Sequence, residues 1–178
     1  MRLNFSFSEK PEVNTEKEKF KRIYHNKPAV KDLDELMMQI YDGKNLTVLP
    51  AVTSYTLLRF FSEVGTDFSA WPVKKQFTAA LQLAPSKYQS GSSRRYKKIP
   101  GTTKAGQILK EAVECLLRSK NVALGAFGKR IAARRGPNVA IKAMARKLAE
   151  WIYDMVTKGM EFVEIGLVSM KKKSKHRT

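Results

Sequence analysis

One pattern dominates the chain: apolar residues return every three or four positions, and the runs stop near glycine or proline. A 3.6-residue period buries one stripe of a helix, whereas a half-buried strand needs alternation, which is not sustained anywhere here. The pattern therefore predicts a mainly α, compact helical domain. Val30, Leu33, Met37 and Ile40 predict a short amphipathic helix from Ala29 to Tyr41, ending before Asp42-Gly43. After Leu46-Thr47-Val48-Leu49-Pro50, Thr53 or Ser54 can cap a helix carrying Leu57, Leu58, Phe60, Phe61 and Val64 that stops at Gly65. Together these two read as a helical hairpin. Ser69 can cap a further helix through Phe77, Ala80 and Leu81, ending ahead of Pro85.

The helical period resumes at Ile108, Leu109, Ala112, Val113, Leu116 and Leu117, and again from Val122 through Phe127 and Ile131 to Gly136. Pro137 suits a first helical position, and the helix it opens carries Ile141, Met144, Leu148, Trp151, Ile152 and Met155 before Gly159. Lys142, Arg146, Glu150 and Asp154 follow at four-residue steps and are expected on its outer side. The lone Cys115 falls on an apolar helical face and is expected to be a buried structural thiol. The organisation expected from these runs is a weakly ordered leader at 1–28, a short helix segment at 29–45, a domain at 46–163 and a basic tail at 164–178. Both termini are expected to be flexible.

Charge narrows the partners. With 34 Lys plus Arg against 16 Asp plus Glu, the 178-residue chain carries a formal charge of +18, which a polyanion would neutralise. Nucleic acid is the leading partner. No apolar run approaches a membrane-spanning length and no apolar signal core opens the chain, so a cytoplasmic protein without a membrane role is expected. One Cys and two His form no cluster with zinc-ligand spacing, so no metal site is expected.

Between Pro85 and Lys104 the apolar period gives way to Ser, Gly, Arg and Lys, a long basic loop of the kind that carries function. A serine can attack a phosphodiester where cations stabilise charge on the phosphoryl oxygens, and Arg grips two such oxygens at once. Ser90 is the candidate nucleophile. Arg94, Arg95, Lys97, Lys98 and Lys104 are the candidate nucleic-acid contacts, and Gly91 would let the backbone approach a phosphate. Taken alone, Ser and Gly are also ordinary loop residues, and the charges alone favour binding over chemistry. A Ser-His-Asp hydrolase is not supported, because His25 and His176 lie near the two ends and no strand–Gly-x-Ser-x-Gly–helix elbow surrounds Ser90.

Four motifs carry a resemblance: Leu81-Gln82-Leu83-Ala84-Pro85, Tyr88-Gln89-Ser90-Gly91-Ser92-Ser93, Thr103-Lys104-Ala105-Gly106, and Ala143-Met144-Ala145-Arg146-Lys147-Leu148-Ala149. In this order and spacing the chain, from about Leu46 to about Phe162, resembles the C-terminal transposase domain of the serine/DEDD insertion-sequence transposases. That family is related to the Piv-type invertases and is directed by a bridge RNA. The resemblance implies that Ser90 attacks DNA and becomes covalently linked to it, within a prokaryotic, DNA-associated protein. It implies a structured guide RNA as a second partner, and self-association or association with an intact transposase.

Magnesium, in the same family, is held by four carboxylates of an N-terminal RuvC-like half. That half would precede residue 29, so the resemblance implies a C-terminal half that lacks magnesium ligands and is inactive alone. The alternative is a non-catalytic nucleic-acid-binding or regulatory remnant. Two departures stand out. Pro50-Ala51-Val52-Thr53 occupies the place of a Pro-Gly-x-Gly turn, and Leu109-Lys110 the place of a Leu-Arg pair.

Overall fold

The computed structural model describes residues 20, 29–84, 102–119 and 122–159, together with the backbone of 88–90 and 93–95. Six α-helices make up most of the described residues, as the apolar periodicity predicts: α1 (Leu33–Ile40), α2 (Ser54–Val64), α3 (Lys74–Ala80), α4 (Lys104–Glu114), α5 (Ala123–Arg135) and α6 (Pro137–Lys158). Two strands, β1 (Tyr88–Ser90) and β2 (Ser93–Arg95), lie between α3 and α4. The expected leader and basic tail fall outside the described residues, apart from Phe20.

The central element is α6. Pro137 opens it as expected, and its 22 residues span roughly 33 Å. It packs against α3, α4 and α5, and Met144, Ala145, Leu148, Ala149 and Ile152 are completely buried. Burial of one such large apolar side chain contributes about 1.5–3 kcal/mol, so this helix anchors the core. The single residue Gly136, at φ 85, separates α5 from α6 and lets the chain reverse between them. At the other end of the fold, an aromatic cluster binds α2, α3 and α6. Phe68 stacks on Tyr153 at 6.0 Å and approaches Phe77 to 4.8 Å, while Phe60 meets Phe77 edge-on at 6.3 Å. The Tyr153 hydroxyl donates to the Trp71 carbonyl at 2.7 Å. Burial pushes the hydroxyl of Tyr41, which lies against Phe61, well above the usual phenol range.

Several elements differ from what the sequence predicts. The first helix begins at Leu33 rather than Ala29, because Asp32 sits at φ 51, a left-handed conformation that cannot continue a helix. Its buried face is Leu33, Met37 and Tyr41, and Val30 and Ile40 are exposed. Ser69 does not cap α3: its amide and hydroxyl both donate to Asp67, holding that carboxyl below its usual pKa. The helix instead starts at Lys74, just past Trp71-Pro72. Thr53 does cap α2, accepting from the Thr56 amide at 3.2 Å, and Ser54 ties the helix to α1 through a hydrogen bond to Asp34.

Cys115 is exposed rather than buried. It stands roughly 130° around the helix from the direction shared by Leu109, Val113 and Leu116, and a 3-10 turn (Cys115–Leu117) begins there. Asp154 is buried, not on the outer side: Lys74 of α3 reaches it at 2.8 Å and Lys158 lies at 3.3 Å. The expected pair between Arg146 and Glu150 does form, at 3.2 Å.

Candidate functional site

The basic segment between α3 and α4, read from sequence as a loop, contains an antiparallel ribbon. Tyr88 pairs with Arg95, Gln89 with Arg94 and Ser90 with Ser93. The register brings three sequence-predicted residues into one ribbon: Ser90 at the end of β1, and Arg94 and Arg95 in β2. Lys97, Lys98 and Gly91 lie outside the described residues.

The described segments on either side of this stretch, up to residue 84 and from residue 102, form two feet that are built into the core. On the incoming side, α3 ends in a left-handed closing turn. Gln82 has φ 56, its amide donates to the Ala79 carbonyl at 2.9 Å, and the Leu83 amide donates to the Thr78 carbonyl at 3.0 Å. Leu81 and Leu83 are buried on either side of it. On the outgoing side, Thr103 caps α4: its hydroxyl oxygen accepts from the Gly106 amide at 3.1 Å and donates to the Leu81 carbonyl at 3.1 Å. One hydroxyl thus starts a helix and joins the two feet. Lys110 secures the outgoing foot by donating to the Thr102 hydroxyl at 3.1 Å.

Gly106 has a steric reason. A Cβ there would run into the Leu81 carbonyl oxygen and come within 2.8 Å of Thr102 Cγ2. Only glycine allows α4 to lie this close to the end of α3. The Leu-Gln-Leu and Thr-Lys-Ala-Gly motifs are therefore two halves of one clamp that joins the chain before the ribbon stretch to the chain after it. The sequence does not reveal this role for Thr103 or Lys110, because it depends on a contact between residues 22 apart.

Lys104 is the first residue of α4 and its side chain is 84% exposed. Its ammonium lies 3.9 Å from Glu63, a surface separation of little energetic consequence, so it remains available to an anion beside the outgoing foot. In the fourth motif, Met144, Ala145, Leu148 and Ala149 are fully buried. Arg146 and Lys147 both pair with Glu150. Helix packing and local ion pairs account for these residues. The Pro50-Ala51-Val52-Thr53 turn also has a definite geometry. Ala51 has φ 62, the left-handed region that glycine favours, whereas Thr53 is extended and caps α2.

Among the described residues, no three His, Cys, Asp or Glu side chains gather as a metal site, and no helix is long and apolar enough to cross a membrane.

No curated protein and no solved structure matches the chain. A family model does match, over residues 43–123, a stretch that runs from the turn after α1 through α2, α3, the ribbon and α4. It leaves out the Ala143–Ala149 motif. The matching family is described as Transposase IS116/IS110/IS902, and the match supports a C-terminal, insertion-sequence transposase domain over these residues.

Proposed function

We propose that this chain is the DNA-cleaving serine module of an insertion-sequence transposase, with Ser90 as the nucleophile. The observation that carries the reading is the clamp. The stretch of chain containing Ser90, Arg94 and Arg95 is bounded by two motifs locked together by Thr103, all inside the residues that match the transposase family. Binding nucleic acid through loose cations would not require a closed base of this kind, whereas a nucleophile must be held in line with its leaving group.

In the proposed step, the Ser90 hydroxyl oxygen attacks a DNA phosphorus. An O–P bond forms, the bond from phosphorus to a sugar oxygen breaks, the serine proton is lost, and the departing sugar oxygen takes up a proton. Arg94, Arg95, Lys97, Lys98 and Lys104 offset the charge on phosphate in this reading. The step uses only residues of this chain; magnesium would offset further charge on the phosphate. Carboxylates to hold it would come from a RuvC-like partner segment, and a guide RNA would select the target.

The test is a trapped adduct. With an intact homologous transposase and DNA bearing an element end, the wild-type chain should become covalently linked to DNA, and Ser90→Ala should abolish the link. An adduct unchanged by Ser90→Ala would remove the proposal. The second reading, a non-catalytic binder or regulator, is favoured by the +18 charge alone. It predicts DNA binding with no adduct from either protein.

A further inference from the structure

The cations of α5 do not belong to the Ser90 ribbon. This helix, sequence ALGAFGKRIAARR, contains Lys129, Arg130, Arg134 and Arg135 and no acidic residue, and all four cations are exposed. Elsewhere on the described helices several cations lean on acids: Arg59 on Glu111, Lys74 and Lys158 on Asp154, and Arg146 and Lys147 on Glu150. Among the described residues, no ion pair joins any α5 cation to an acid.

The helix cannot turn these charges away. A Cβ at Gly125 would strike the Leu116 carbonyl oxygen, and one at Gly128 would strike the Met144 sulfur. Both glycines therefore face the closest contacts of α5, which fixes Arg130 and Arg134 on the other side. Those two residues are four apart, where like charges weaken a helix, so their pairing adds nothing to folding stability. A helix C-terminus favours cations in its last turn, which accounts for Arg134 and Arg135 but not for Lys129 and Arg130 in mid-helix. Lys129 also donates to the Ser119 carbonyl at 2.7 Å, drawing the segment with exposed Arg118 against the middle of α5.

We infer that the outer face of α5 is a second nucleic-acid surface, one that grips the phosphate backbone of double-stranded DNA without reading its sequence. The inference rests on the reading of this chain as a DNA-acting module. The eleven residues of α4 span about 16 Å between the ribbon's outgoing foot and the 3-10 turn that leads to α5. That separation covers several phosphates of one strand at about 3.4 Å each. Arg is suited to the task because its fork binds two phosphate oxygens.

The test is a salt titration on a duplex of arbitrary sequence. Removing one cation that neutralises a phosphate should lower the slope of log affinity against log salt by about 0.9, so Arg130→Gln and Arg134→Gln combined should lower it by about 1.8. Each single variant should lower it by about 0.9, which guards against a double variant that fails to fold. The corresponding Arg→Lys variants should keep the wild-type slope. Wild-type binding with a slope that none of these Gln variants changes would overturn the inference while leaving the Ser90 proposal standing. A reduced slope seen only with a duplex RNA probe would overturn it in favour of RNA. No salt-dependent DNA binding by the wild type would overturn both.

Discussion

At the scale of residues, backbone geometry explains two of the chain's departures and motifs. Ala51 occupies the first glycine position of the turn found in the resembled family, and it keeps the left-handed φ of 62 that glycine would adopt freely. A side chain in that region costs about 1–2 kcal/mol, so Ala51→Gly should raise unfolding stability by about 1 kcal/mol in a denaturant titration. Unchanged or lower stability would show that the turn tolerates alanine for another reason. Gly106 is the converse. Its missing Cβ leaves room for the Leu81 carbonyl, so Gly106→Ala should cost about 1–3 kcal/mol through overpacking. Unaltered stability would mean that α3 and α4 can separate easily, contrary to the clamp. Lys110, standing where an Arg is usual, spends its charge on Thr102 and Gln107 at 3.1 and 3.2 Å. Its place in the site is as a brace for the ribbon's foot.

At the scale of elements, the helices were legible in the sequence wherever a buried stripe and a stop coincide, as at Leu57 to Gly65 and Pro137 to Gly159. Starts were less legible. Asp32 and Pro72 decide two of them through backbone geometry, which apolar periodicity does not register. The ribbon was invisible because three-residue strands of Tyr-Gln-Ser and Ser-Arg-Arg carry no apolar alternation. Asp154 was misplaced because charge spacing on one helix cannot show that Lys74, from another helix, covers it. The nucleophile and its flanking cations could be chosen from sequence, but the clamp beneath them could not. Thr103 is the element-scale test of that clamp. Thr103→Ala removes both the cap of α4 and the link to Leu81, at a cost of about 1 kcal/mol for the cap. Adduct formation should fall by more than stability alone explains, and Thr103→Ser should restore both. Full activity in a folded Thr103→Ala protein would show that the feet need no link.

At the scale of the whole molecule, a helical core centred on α6 carries the clamp between α3 and α4, with the ribbon in the chain between them, and an unneutralised cationic face on α5. In the proposed account, the core provides rigidity, the ribbon provides the nucleophile, and the +18 charge draws the chain to DNA. The ribbon region holds several hydroxyls, those of Tyr88, Ser90, Ser92 and Ser93, so loss of activity in a single variant is less direct than locating the bond itself. The decisive measurement is mass spectrometry of the trapped protein–DNA adduct after digestion of both components. The account predicts a nucleotide remnant on Ser90; a remnant on Tyr88, Ser92 or Ser93, or no covalent remnant on this chain, would contradict it.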